Sequence, residues 1–247
     1  MTTDVQALPF PAAVGLTHLR VYDTAGPDGV TGGSPHVHLA STEAYIPIAG
    51  NGEVQTLSAS AEATFPLYRG NIVWFEPGVI HRLVNVDGEL ELLVIMQNAG
   101  LPEAGDAVFT FADSIMADEL AYLNAASLGA TADDERIGAA LRRRDLAVEG
   151  FEHLVRAHRS GDEGPVRTFL ERATALKRAL APEWESLVEA GPVRAMRTTQ
   201  ERLSKLEHGD TDGLLSARVQ SGSWEIQRPG VGMCGVLQAY APEGSRV

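Results

Sequence analysis

Disulfides, membrane spans and basic tracts are what this 247-residue chain lacks, and each absence excludes a class of protein. It has one cysteine, Cys234, so no disulfide within the chain can support the fold and thiolate metal chemistry has a single donor. No run of 18 apolar residues occurs, so a membrane-spanning helix is not expected. Residues 1–11 carry neither a basic start nor an apolar stretch, so no secretory leader is expected and the cytoplasm is the default location. Lys and Arg number 20 against 33 Asp and Glu, a formal net charge of -13. Such a surface repels phosphate backbones and anionic membranes, so neither nucleic acid nor membrane is expected as a partner. The local basic clusters, Arg142-Arg143-Arg144 and Arg156 with Arg159, read as solvated helix faces.

What is present is a soluble-type composition, 44% hydrophobic and 21% charged, in three textures. Residues 14–110 begin with short β-branched runs broken by Gly and Pro: strands are expected at 16–23, 36–39, 43–48, 53–57, 64–68, 72–75, 81–85 and 90–97. Residues 111–208 are rich in Ala, Leu, Glu and Arg and read as helices. The first is expected at 114–123, and a longer one at 133–157 with an interruption near Gly138 or Gly150. Thr131 and Asp134 stand at capping-box spacing before it. Pro165 suits a first helical turn. Behind it Val166, Phe169, Leu170, Ala173, Leu176 and Leu180 form an apolar stripe that needs a partner surface, in the same chain or in a second copy, so a homodimer is an option. Pro192 is expected to open the last helix. Residues 213–241 return to strand character, at 215–220, 223–227 and 233–240, and are expected to pack on the first part.

The chemistry-bearing pattern lies in the first texture. His36 and His38 are two apart, which in a strand puts both rings on one face, about 6.5–7 Å apart along the backbone. Glu43 follows after five residues, close enough for a tight bend to bring its carboxylate to the same point. His81 starts another strand after the Pro77-Gly78 turn. Three imidazoles and a carboxylate suit Fe(II), Mn(II), Ni(II), Zn(II) or Co(II). Tyr45 shares a face with Glu43 and is expected to point inward as a hydrogen-bond donor. On the last strand of this part Leu90, Leu92, Val94 and Met96 should face the core and Glu89 and Glu91 water. Of Trp74 and Phe75, one should fill the interior and the other pack outside. Asn85 reads as a turn or packing residue, Glu76 as an exposed loop charge, and Cys234 as a small buried hydrophobe.

His36-Val37-His38, Glu43 and Gly50 resemble the first motif of the cupin superfamily. Gly70, Pro77-Gly78, His81 and Asn85 resemble the second, although its proline falls one position later than usual. The resemblance implies a mainly β chain: a double-stranded β-helix, or jelly-roll barrel, with an added helical region that the minimal cupin lacks. It implies a metal held by His36, His38, Glu43 and His81, with Gly50 and Gly78 in tight turns. Cupins include dioxygenases, isomerases, lyases, decarboxylases and ligand-binding proteins, so the fold does not choose a reaction. The leading expectation is an Fe(II)-dependent dioxygenase acting on a small organic molecule, with Glu43 as a ligand that can accept a proton and Tyr45 beside it. The alternatives are a metal-dependent isomerase or lyase, and a non-enzymatic cupin that binds a small ligand.

Overall fold

The computed structural model describes residues 10–97, 100–129, 133–225 and 228–242. Thr131 of the capping-box expectation lies outside them. Nine strands come first: β1 (Gly15–Val21), β2 (His36–His38), β3 (Glu43–Ala49), β4 (Gly52–Leu57), β5 (Glu62–Leu67), β6 (Val73–Phe75), β7 (Ile80–Asn85), β8 (Glu91–Met96) and β9 (Ala107–Phe109). Helices α1 (Asp113–Met116), α2 (Glu119–Ala126), α3 (Asp133–Arg159), α4 (Gly164–Lys177), α5 (Ala181–Val188), α6 (Arg194–Glu207) and α7 (Asp212–Leu215) follow. The chain then returns to strands β10 (Gly222–Ser223), β11 (Gly230–Val231), β12 (Gly235–Ala239) and β13 (Ala241–Pro242).

Two antiparallel sheets carry the fold. The first has the order β11-β12-β1-β8-β3-β6 and the second β5-β4-β7-β2-β9. The segments β1-β8-β3-β6 and β5-β4-β7-β2 are the two halves of a jelly roll, in which all neighbours but the β4-β5 hairpin are strands distant in sequence. The inner faces pack on one another: Leu19, Val21, Tyr45, Leu92, Val94 and Met96 of the first sheet meet Val54, Leu67 and Leu83 of the second. Alternation along β8 delivers this, since Leu92, Val94 and Met96 are buried while Glu91 is not. Positive φ at Gly50 (65°) and Gly78 (90°) turns the chain between strands, as expected of both residues.

The expectation of a mainly β chain closed into a barrel is corrected. Helix, at 40%, exceeds strand, at 27%, and no strand pairing joins the two sheets among the described residues. The helices have a definite place. Val37, Leu57, Ile80 and Val108, on the outer face of the second sheet, share a core with Phe109, Phe111, Met116, Tyr122, Ala147, Phe151, Val155, Val166, Phe169 and Ala173. The apolar stripe of α4 is therefore buried within its own chain and requires no second copy.

Several local expectations change for physical reasons. α3 runs through Gly138 and Gly150 without a break. Gly150 is a contact rather than an interruption, because a Cβ there would lie 1.9 Å from the Thr110 carbonyl oxygen. Thr110 Oγ1 in turn donates to the Ala147 carbonyl of α3 at 2.8 Å. The single helix expected over 114–123 is two, α1 and α2, because Asp118 accepts from the Ala121 amide and caps the second. Pro192 opens no helix. It lies in a π-turn over residues 189–193 that joins α5 to α6, where the wider turn accommodates its missing N–H. Residues 215–220 form no strand: Leu215 ends α7, and Val219 is wholly exposed. Of the strand expected over 223–227, Ser223 belongs to the two-residue β10, and residues 226–227 lie outside the described part. The strand expected over 233–240 is β12, which pairs antiparallel with β1 and so extends the first sheet.

The solvated-face reading of the basic clusters fails at Arg143 and Arg144, which are buried. Arg144 donates to the carbonyls of Thr24 (2.7 Å) and Ala25 (2.8 Å), pinning the loop between β1 and β2 to α3. Arg143 donates to the carbonyls of Ala126 (3.0 Å) and Gly232 (2.9 Å), with its guanidinium over the Phe109 ring. Among the described residues no helix is long and apolar enough to cross a membrane.

Candidate metal centre

The register of the sheets brings the four expected residues together. His36 on β2 is paired with His81 on β7, so the second sheet supplies three imidazoles from adjacent strands. Glu43 opens β3 in the facing sheet, reached by the short turn after His38. All four are buried, and one donor atom from each lies within 4.8 Å of every other.

Each imidazole is held by its Nδ1. His36 Nδ1 is 2.9 Å from the Ser34 carbonyl oxygen, and His81 Nδ1 is 3.0 Å from that of Val79. A carbonyl only accepts, so both Nδ1 atoms carry the hydrogen and both Nε2 atoms present lone pairs. His38 Nδ1 faces Asp106 Oδ2 at 3.3 Å. The Nε2 atoms of His36 and His81 stand 3.1 Å apart. Glu43 Oε2 lies 3.1 Å from His81 Nε2 and 3.4 Å from His38 Nε2, yet it has no hydrogen-bond partner of acceptable geometry. Lone pairs and an anionic oxygen crowded together without hydrogens between them repel unless a cation sits among them. The donors thus fit a divalent metal, and the Nδ1 partners are of the kind that orient metal-binding histidines.

The electrostatics follow from burial and proximity. Burial and the neighbouring imidazoles of His81 and His38 hold the His36 pKa well below the ordinary range. For His38 burial acts downward, but the Glu43 and Asp106 carboxylates outweigh it and raise the pKa. Burial pushes Glu43 up, and His38, His81 and the Tyr45 hydroxyl more than offset this, leaving it lowered. Asp106 is pushed up by burial, but hydrogen bonding and charge from His38, with the bonds from Ser41 and Ala40, bring it down to about 2.

Tyr45 is where its parity with Glu43 predicts, almost fully buried, with its ring centroid 6.1 Å from that of His81. Phe75 points inward with its ring 4.3 Å from His81, while Trp74 points outward and is 66% exposed, packed on no helix. Asn85 is structural: its amide donates to the Val21 carbonyl (3.1 Å) and its oxygen accepts from the Leu90 amide (3.1 Å). Glu76 is exposed and is not one of the grouped donors. Cys234 is buried, with its thiol pushed up by burial, so it is no nucleophile.

A cavity of about 330 Å3 opens onto the cluster. His36, His38, Glu43 and Tyr45 form its polar end. Leu19, Val94 and Met96 of the first sheet line it together with Pro102, Glu103, Gly105 and Ala107 and with Met233, Cys234 and Leu237 near the chain's last strands. No Lys or Arg lines it; apart from the cluster, its charged wall residue is Glu103, which is exposed. Three contributions escape a reading of the sequence: Asp106, Glu103 and the wall around Met233. Asp106 follows the turn signal Gly105 and precedes the apolar run 107–111, which marks a strand start, but nothing in its spacing ties it to His38. Met233 is placed by long-range bonds, the Ser34 amide and hydroxyl both donating to its carbonyl, at 3.1 and 2.7 Å.

No family model matches the chain, and no curated protein matches it. Solved structures do. A TDP-fucose-3,4-ketoisomerase from Campylobacter jejuni is 16% identical over 33% of this chain and 57% of its own, with a TM-score of 0.28. An oxalate decarboxylase with Mn(II) centres from Bacillus subtilis is 15% identical over 41% of this chain and 26% of its own, TM-score 0.33. The cupin domain of CENP-C from Drosophila melanogaster is 15% identical over 34% and 54%, TM-score 0.27. This chain spans less than two thirds of the length of each. Its own strand order and the meeting of His36, His38, Glu43 and His81 are consistent with the cupin-like core and the His/Glu metal cluster that the two motifs imply, with an added helical region.

Proposed function

We propose that this cupin-fold chain is a metal-dependent enzyme that isomerises or cleaves a small organic molecule by moving a proton beside an ion held by His36, His38, Glu43 and His81. The observation that carries the reading is the meeting of these four donors, three of which, His36, His38 and Glu43, line the polar end of a largely apolar, ligand-sized cavity. A bound divalent ion supplies a Lewis acid that polarises a substrate oxygen. The three imidazoles hold the ion's charge without cancelling it, and Glu43 removes one unit. Tyr45, buried on the same face of β3 as Glu43, brings a transferable proton to the cavity wall next to the donors. It can give that proton to a substrate oxygen or return it from one, while Leu19, Val94, Met96 and Leu237 exclude water.

The absence of Lys and Arg from the walls argues against a polyanionic substrate. The substrate chelates through one or two oxygens, carries an apolar middle, and is neutral or cationic where it passes Glu103. The donor set accepts Mn(II) as well as Fe(II), Co(II), Ni(II) or Zn(II).

Metal analysis of protein purified anaerobically without added metal, followed by turnover of candidate oxygen-chelating substrates without oxygen, tests the reading. Anaerobic turnover that falls at least a hundredfold in Tyr45→Phe supports it; turnover that is unaffected by the change sinks the role of Tyr45. The Fe(II) dioxygenase remains the second reading, favoured by the apolar walls, which suit a substrate that reacts with dissolved oxygen. It requires stoichiometric oxygen uptake. Glu103→Gln should weaken binding of a cationic substrate about fivefold, the effect of one exposed ion pair, and leave metal content unchanged.

A further inference from the structure

We propose that Asp106 is a positioning residue that sets the tautomer of His38, so that His38 offers Nε2 to the metal only while that carboxylate is intact. The inference rests on the metal reading above and deepens it. Asp106 is fully buried at the end of the segment leading into β9, 68 residues from His38 in sequence. Its Oδ1 accepts from the amides of Leu39 (2.7 Å) and Ala40 (2.9 Å). Its Oδ2 accepts from the Ser41 amide (3.2 Å) and faces His38 Nδ1 at 3.3 Å. One side chain thus secures the whole turn between β2 and β3, which separates His38 from Glu43, and also the ring of His38. The other two histidines need no such residue, because the backbone carbonyls two residues before each, of Ser34 and Val79, hold Nδ1–H. His38 is the ligand whose orientation depends on a distant part of the chain.

The chemistry of an amide in place of this carboxylate follows from the four contacts. In Asp106→Asn the oxygen is claimed by the two shortest bonds, from Leu39 and Ala40, since the reverse orientation would set an NH2 against both of those amides. The NH2 then faces Ser41 and His38 Nδ1. Facing a donor, Nδ1 must give up its hydrogen, and the neutral ring carries it on Nε2, where the metal needs a lone pair. Asp106→Ala removes every bond of the carboxylate and so loosens the turn more, but it leaves His38 free to choose either tautomer.

A structural role and a tautomer-setting role therefore order the variants oppositely. Zn(II) affinity is measured by calorimetry above the titration of the histidines, with the melting temperature of the metal-free protein alongside. The expected result is that Asp106→Asn melts higher than Asp106→Ala yet binds Zn(II) more weakly, at 10- to 100-fold below wild type. Affinity that simply follows stability, or an Asn variant that binds like wild type, overturns the proposal. Should neither variant fold, 15N chemical shifts of His38 in metal-free wild-type protein decide: Nδ1 protonated supports the proposal, and Nε2 protonated with a bare Nδ1 ends it. A wild-type chain that takes up no Zn(II) would defeat the metal reading while leaving that spectrum to test His38 alone.

Discussion

The two sheets that build the metal centre are not alike. The second is buried on both faces at β2 and β7, the strands that carry the three histidines: every residue of the two is buried, Val37 and Ile80 against helices and His36 and His81 toward the ligand point. The first alternates along β3, the strand that carries Glu43 and Tyr45, with Glu43, Tyr45 and Pro47 buried and Ala44, Ile46 and Ile48 half-buried. Both-face burial is the mark of a sheet covered by helices, and alternation that of one open on its outer side. Three nitrogen donors thus sit on a backing that cannot shift without disturbing α3 and α4, while the carboxylate and the tyrosine sit on the less supported wall. A site built on rigid elements keeps its geometry, so the helical region has a direct bearing on the metal centre although it contributes no ligand.

The largest effect should come from the donors themselves. His81→Ala on the covered sheet and Glu43→Ala on the open one are each expected to lower metal affinity by orders of magnitude in calorimetric titration; retained affinity in either would remove that residue from the ligand set. Next is the backing. Gly150→Ala drives a methyl group into the Thr110 carbonyl and should cost about 1–3 kcal/mol in denaturant unfolding, as overpacking does, with weaker metal binding besides. If that variant is as stable as wild type, the tight seating of α3 on β9 is not what holds the histidine sheet. Smaller is the loop clamp. Arg82, on β7, holds Asp28 in a bidentate pair and also donates to the Val30 carbonyl. Burial raises the Asp28 pKa, but the Arg82 hydrogen bonds and charge outweigh it and lower it below its ordinary 3.8. A carboxyl whose folded pKa is depressed adds stability above its ordinary value and loses it as pH falls through the folded one. Wild type and Asp28→Asn should therefore differ in melting temperature at neutral pH and converge below about pH 4, and a gap that is constant with pH would refute the pair's contribution. The smallest effect belongs to the open face: Trp74→Ser, at a residue 66% exposed, should change stability by no more than about 0.5 kcal/mol and leave metal affinity alone.

What could be read from the sequence divides along the same line. Strands β1–β8 were legible because Gly and Pro punctuate them and because their apolar residues alternate, both of which are local signals. The four donors were legible because the motif spacing survives. β9 was not, although Val108, Phe109 and Phe111 carry strand character, because no turn signal follows Phe111 before the helices begin. Arg143 and Arg144 were misread as solvated since their partners, the carbonyls of Gly232 and Thr24, come from loops whose position only the assembled fold decides. Gly150 looked like a helix break for the same reason: its meaning is a close approach to Thr110. Residues 215–220 show the converse, a β-leaning run that finds no sheet edge to join.

The cavity wall around Met233, Cys234 and Leu237 adds an order of events. All four donors lie between residues 36 and 81, whereas this wall comes near the end of the chain. During synthesis the groups that would grip an ion leave the ribosome long before this last part of the wall. The cluster is thus complete in the chain while its cavity is still open on one side, and a chain cut short ahead of β11 would lack Met233, Cys234 and Leu237 from that wall.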